Sequence, residues 1–281
     1  MALTLLTEPF QYTFFQHATL ATLAIGVAAP LAGAWAMQRR LVYLTDALSH
    51  GVLAGVASAA LLGTSLIAGA LVTAIVMASL IALLVIRVKV PEDSSIGLVG
   101  QGLFALGVLG LTLQRDPRAL QHVLFGNPLT VTSMDVAVDI GLALVIVFAV
   151  LWLRPVLSAT TFDPQHARTL GLPVALVDTG VVLGLAVVVV IGLSSVGVLM
   201  ALTLSLAPAV AARLLCQRTS TLLGCATAGG VAAGLLGLLV SYHAGLPTGP
   251  VVALLATAEV PLAAVIAVLR NAPRAARTAR A

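Results

Sequence analysis

Nine stretches of this chain are long, apolar and nearly free of charge: residues 17–37, 41–62, 66–86, 96–113, 132–153, 174–193, 195–215, 219–240 and 250–269. A helix needs about 20 such residues to cross the roughly 30 Å hydrocarbon layer of a bilayer. Charged residues make up 9% of the 281 positions, whereas soluble domains carry roughly 25%, so a water-soluble fold of this size could not cover its surface. The runs are continuous, which excludes the alternating pattern of transmembrane β-strands. With 25 glycines among them, they suit helices whose backbones approach closely. The expected fold class is an all-α integral membrane protein with about nine transmembrane helices, forming a single domain over residues 1–281.

The basic residues test that count. Arg39 and Arg40 follow the first run, Arg87 and Lys89 the third, Arg154 and Arg168 the fifth, and Arg213 and Arg218 the seventh. Arg270, Arg274, Arg277 and Arg280 follow the ninth. Cytoplasmic loops carry the excess of Lys and Arg, so a path that enters with its N-terminus outside and ends with its C-terminus inside accounts for the pattern. Arg115 and Arg118, partly offset by Asp116, are the exception. The same distribution explains the net charge of +4 as anchoring, with the basic tail 270–281 against lipid headgroups and no role for nucleic acid. Residues 1–16 lack a basic leader region, so the first run reads as a span rather than a cleaved signal. Cys216 and Cys225 flank a turn between two spans on the reducing side and read as packing residues.

Asp46 and His50 interrupt the second run. Four apart, they share one face of a helix, roughly 9–15 Å along its axis from the arginines at the inner interface. A carboxylate near the bilayer centre costs about 2.5–3.5 kcal/mol to insert, so residues there usually line a pathway or site. A carboxylate and an imidazole suit manganese, zinc or iron. From spacing alone, an Asp–His hydrogen bond that locks two helices is an equal reading. Pro30, Pro208 and Pro261 fall inside spans, where a neighbouring helix or a watery cavity must satisfy the freed carbonyls.

The run Leu44-Thr45-Asp46-Ala47-Leu48-Ser49-His50-Gly51-Val52-Leu53-Ala54-Gly55, after its basic helix end, resembles a signature of the permease subunits of manganese/zinc/iron-type metal ABC importers. Three further stretches resemble the same family in the same order. They are Phe162-Asp163-Pro164-Gln165-His166-Ala167-Arg168-Thr169-Leu170-Gly171; Ser194-Ser195-Val196-Gly197-Val198-Leu199-Met200 continuing to Ala207-Pro208-Ala209; and Leu246-Pro247-Thr248-Gly249-Pro250. The resemblance implies a homodimeric permease in a bacterial cell (inner or plasma) membrane that moves a divalent metal inward. Its implied partners are a separate ABC ATPase subunit and an extracytoplasmic metal-binding protein. Asp46 and His50 become metal-pathway ligands, and residues 162–172 become the segment that docks on the ATPase. Thr45 and Gly245 depart from the family pattern, where glycine and an acidic residue respectively are more usual.

The docking segment also reads from its own chemistry. Asp163-Pro164 is a cap followed by a first-turn proline, Ala167 lies within the turn, and Gly171 with Pro173 ends it. Glu259, well inside the ninth run, is a further candidate metal ligand or a helix-to-helix hydrogen bond. Asp178 lies near the inner end of span six. His17, His122 and His243 map to the outer side. Lys89 is the only lysine, and no phosphate-cradling Gly-x-x-x-x-Gly-Lys motif surrounds it. The chain is therefore expected to be no enzyme and to hold no covalent cofactor, with any ATP hydrolysed on a partner. The alternative is a stand-alone secondary carrier using Asp46, His50 and Glu259, which would need no docking helix. If the arginine pattern sets topology, a reporter fused after Arg280 is cytoplasmic and one inserted in 242–247 is external; finding both on one side overturns the nine-span path.

Overall fold

A computed structural model describes residues 8–113, 126 and 131–278. After a 3-10 turn at Glu8–Gln11 come α1 (Thr13–Gln38), α2 (Val42–Leu62), α3 (Leu66–Leu83, continued by a π-helical turn Leu84–Val88) and α4 (Glu92–Leu113). They are followed by α5 (Ser133–Phe162), the short α6 (Pro164–Thr169), α7 (Val174–Ser195), α8 (Val198–Leu215), α9 (Thr219–Ala244) and α10 (Thr248–Thr278). Among the described residues, eight of these helices are long and apolar enough to cross a membrane, and α7 contributes a shorter apolar stretch at Val174–Val190. The protein is an all-α, multi-pass membrane protein. A helix stands at each of the nine runs of the sequence.

Helix ends follow local chemistry. Thr132 caps α5 in a reciprocal box with Asp135, its hydroxyl accepting from the Asp135 amide while the Asp135 carboxylate accepts from the Thr132 amide at 3.0 Å, which satisfies two donors that the first turn leaves open. Gly63 and Gly245 end α2 and α9 in the left-handed conformation, which lacks a Cβ penalty in glycine. The turn between α1 and α2 places Arg40 in that conformation instead, with φ 62°.

Several helix ends differ from the sequence expectation, among them those of the fifth, seventh and ninth spans. The fifth span, expected at 132–153, runs on through Pro155 to Phe162, because the proline removes one hydrogen bond without ending a helix held on both sides by α1 and α7. The seventh, expected from 195, begins at Val198, since Gly197 adopts φ 88° and breaks the chain between α7 and α8. The last continues past 269 as helix to Thr278.

α1 is the hub. It packs on α9, α8, α5 and α7, and 78% of its apolar window is buried, against 22% for α3 and α4. On one side α2 packs on α4 and α3; on the other α8, α9 and α10 pack on one another. Trp35, Leu48, Val52, Met77, Leu204 and Leu222 fill the interior, while Leu62, Leu106, Phe148, Trp152 and Leu254 face outward, as a lipid-solvated surface permits. Small residues set the spacing: a methyl on Gly33 of α1 would overlap the Ser205 carbonyl of α8, and Gly55 and Gly69 hold α2 against α3 in the same way.

Gly33→Ala should therefore push α1 from α8 and lower the thermal unfolding midpoint in detergent, at a cost of about 1–3 kcal/mol for overpacking. Gly141→Ala on α5, where an added methyl meets nothing within 4 Å, should be neutral or slightly stabilising, because alanine exceeds glycine in helix propensity by about 1 kcal/mol. Equal midpoints for the two variants would refute close backbone approach as the reason for glycine at position 33.

Candidate metal pathway and coupling segment

α2 presents Asp46 and His50 one above the other. The His50 Nε2 lies 3.5 Å from the Asp46 Oδ1, too long for a strong hydrogen bond but close enough for both atoms to serve one cation. The Asp46 side chain is 44% exposed and that of His50 34%, so the pair opens away from the packed interior. The His50 ring meets Phe104 of α4 edge-on at 5.1 Å, and its buried Nδ1 has no hydrogen-bond partner among the described residues. The flanking hydroxyls are turned back on the helix: Thr45 donates to the Leu41 carbonyl at 3.0 Å and Ser49 to the Thr45 carbonyl at 2.9 Å. One carboxylate and one imidazole are thus the donors this turn offers, and the i,i+4 spacing read from the sequence is the geometry found.

Glu259 lies elsewhere. On α10 it is half-buried against Gly229 of α9, close enough that a methyl there would sit 2.6 Å from its Oε2. It lines a cavity of about 180 Å³ with Pro208 and Cys225. Asp46 and His50 belong to the α2–α4 group and Glu259 to the α8–α10 group. Among the described residues no three His, Cys, Asp or Glu side chains come together as a metal cage. The Cys216 thiol donates to the Cys225 sulfur at 3.2 Å, and the two are not joined by a disulfide. His17 and His243 stand at one end of the bundle, where Phe15 and Tyr242 rings meet at 5.3 Å; His122 lies outside the described residues.

The segment after α5 folds as its sequence suggests. The Asp163 carboxylate accepts from the His166 amide at 2.9 Å, Pro164 occupies the first turn, and Gly171 ends α6 with φ 74°. The Leu172 and Gly171 amides close the end by donating to the Ala167 and Arg168 carbonyls at 3.0 Å. Ala167 is fully buried and is the only side chain of α6 that packs inward. Phe162 and Leu170, at its two ends, are 60% and 61% exposed.

Two groups were not read as site residues from the sequence. Arg39, taken there as an interfacial anchor, has a side chain only 6% exposed and forms an ion pair with Asp178 of α7; its other terminal nitrogen donates to the Thr160 hydroxyl of α5 at 2.6 Å. Burial lowers its pKa from the ordinary arginine value, yet a guanidinium remains charged. Asp139, on α5, is 2% exposed among Ala24, Ile25 and Ala28 of α1 and Val188 of α7, with Oδ2 unpartnered among the described residues. Its signal was available, since a carboxylate seven positions into an apolar run has the same cost as Asp46.

Several known proteins of similar sequence are named as membrane components of metal transport systems. The chain is 33% identical to the chelated iron transport system membrane protein YfeD of Yersinia pestis over 255 residues, covering 91% of this chain and 86% of that one. It is 33% identical to the manganese transport system membrane protein MntC of Halalkalibacterium halodurans over 248 residues, 88% and 85% of the two chains. Its fold matches a solved structure of PsaBC from Streptococcus pneumoniae in complex with Fab, with a TM-score of 0.87 and 26% identity over 94% of this chain and 95% of that one. Residues 11–268 match the family described as the ABC 3 transport family, and the chain belongs to that family of transport permease subunits.

Proposed function

We propose that this protein is the membrane permease of an ATP-driven importer that carries a divalent metal ion, manganese, iron or zinc, into the cytoplasm. In this reading it is a single nine-span domain with its N-terminus outside, and it works as a homodimer. A metal-binding protein delivers the ion from outside, and a separate ATPase subunit docks inside on residues 162–172. The carrying observation is the Asp46–His50 pair, two metal-competent donors on one helix turn that open away from the packed interior. The names of the iron and manganese relatives favour those two metals; the imidazole keeps zinc in the set.

A dehydrated ion in a low-dielectric pathway needs more ligands than one chain supplies at this point. A second copy across a twofold axis would bring the set to four, or each pair would be completed by water. Glu259 is assigned a secondary place beside the route, since it lies in a different helix group. ATP binding and hydrolysis on the partner then shift the dimer between outward- and inward-open states. The exposed, capped α6, with apolar Phe162 and Leu170 at its ends, supports a docking role over the stand-alone carrier.

Asp46→Asn and His50→Gln keep shape and hydrogen bonding while removing charge or basicity. Both variants should insert and assemble normally, yet lose uptake of radiolabelled manganese by at least about tenfold, the scale on which even indirect metal contacts matter. Parental uptake in either variant would make that residue structural. Asp163→Ala combined with Gly171→Val should cost α6 its two caps, about 1 kcal/mol for the first alone, and reduce co-purification of the ATPase subunit. Unchanged complex formation and unchanged stimulation of ATP hydrolysis would remove 162–172 from the mechanism.

A further inference from the structure

Arg39 sits where the ends of three long helices meet. It is the C-terminal cap of α1, and its nearly buried guanidinium reaches both flanks of the 162–172 segment at once. One flank is Thr160, three residues before the Asp163 cap, whose hydroxyl accepts from Arg39 at 2.6 Å. The other is Asp178, seven residues after Gly171, whose carboxylate pairs with the opposite nitrogen. Thr160 is itself held, donating to the Val156 carbonyl at 2.9 Å. The segment that carries α6 is therefore closed at its base by one cation.

The other side of Arg39 leads to the metal pair. Arg40 takes the left-handed position that usually falls to glycine, and the turn is sealed by its amide donating to Met37 and that of Leu41 to Ala36, at 3.1 and 2.8 Å. The Leu41 carbonyl in turn accepts from the Thr45 amide and hydroxyl, each at 3.0 Å. From Arg39 to Asp46 no residue is left in a slack loop. A charged bridge suits such a junction better than apolar contact would, because hydrogen bonds to a planar guanidinium are directional and fix one register, whereas apolar surfaces slide.

We propose that Arg39 is a positioning residue for transport: it ties movement of residues 162–172 to the α1–α2 turn, and through that turn to the orientation of Asp46 and His50. The proposal rests on the reading of 162–172 as the docking segment and of Asp46 and His50 as ligands. A purely structural arginine would affect assembly and all activities together. A coupling arginine affects the ratio between them.

The test is metal moved per ATP hydrolysed, measured with manganese(II) in proteoliposomes that hold the full complex with the ATPase subunit that co-purifies with the parental protein. Arg39→Gln and Asp178→Asn should assemble with that ATPase and retain ATP hydrolysis, while the manganese-to-ATP ratio falls at least about fivefold, the lower range of coupling between linked sites. Thr160→Val, which removes one arm only, should give a smaller fall. A parental ratio in Arg39→Gln overturns the proposal. So does a parallel loss of uptake and hydrolysis, or failure of all three variants to assemble, since either makes Arg39 an anchor of the fold. If the parental protein captures no ATPase at all, the docking reading fails instead, before any variant is compared.

Discussion

A bilayer core offers no hydrogen bonds to the groups placed in it, and this rule governs the polar side chains of the protein as strictly as its backbone. Helices satisfy the backbone. Most hydroxyls follow by turning back on their own helix: Thr19 to the Phe15 carbonyl, Thr73 to Gly69, Ser205 to Ala201. Hydroxyls treated this way cost the fold little and offer few free donors. The same rule gives the exceptions their meaning, because a buried polar atom left without a partner persists only where something else compensates. Among the described residues seven buried side-chain atoms are of this kind, His50 Nδ1, Asp139 Oδ2 and Arg39 Nε among them; His50 stands on the turn that carries Asp46, and Arg39 at the base of residues 162–172.

Packing without water also explains why small residues rule the centre. Between helices in lipid the hydrophobic effect adds little, so association relies on close van der Waals contact. α1 meets that demand with alanines and glycines along its length, among them Ala21, Ala28, Gly33 and Ala36, and buries two aromatic rings near its ends, Phe15 and Trp35, at 0% and 1% exposure. α3 and α4 lie at the edge, and their outward leucines and valines are interchangeable lipid contacts. Specificity of the fold therefore resides in α1 and in the faces that α2, α5, α7, α8 and α9 turn toward it.

Much of this was legible in the sequence. Apolar run length located the helices, and i,i+4 spacing put Asp46 and His50 on one turn, because both are local properties. Asp163, Pro164 and Gly171 announced α6 for the same reason. What escaped was non-local. Arg39 reads like any basic residue at a span end, since its partners lie 121 and 139 residues further along the chain. Asp139 is the exception, since its place inside an apolar run already marked it; the fold adds that it is buried against α1. The fifth helix outran its expected end at residue 153, because a sequence does not reveal whether neighbouring helices will hold a helix together past the hydrogen bond lost at Pro155.

α6 is a six-residue helix that inserts a single methyl group, that of Ala167, into the protein. Helices so short have almost no stability of their own, so this one persists through its two caps and the junction beneath it. Its amides should sit at the fast-exchanging end of the molecule, where local opening takes little free energy. Any surface that covers it would slow that exchange, which makes α6 a built-in gauge: deuterium uptake over residues 164–172 reports occupancy of this face without any label added to the protein.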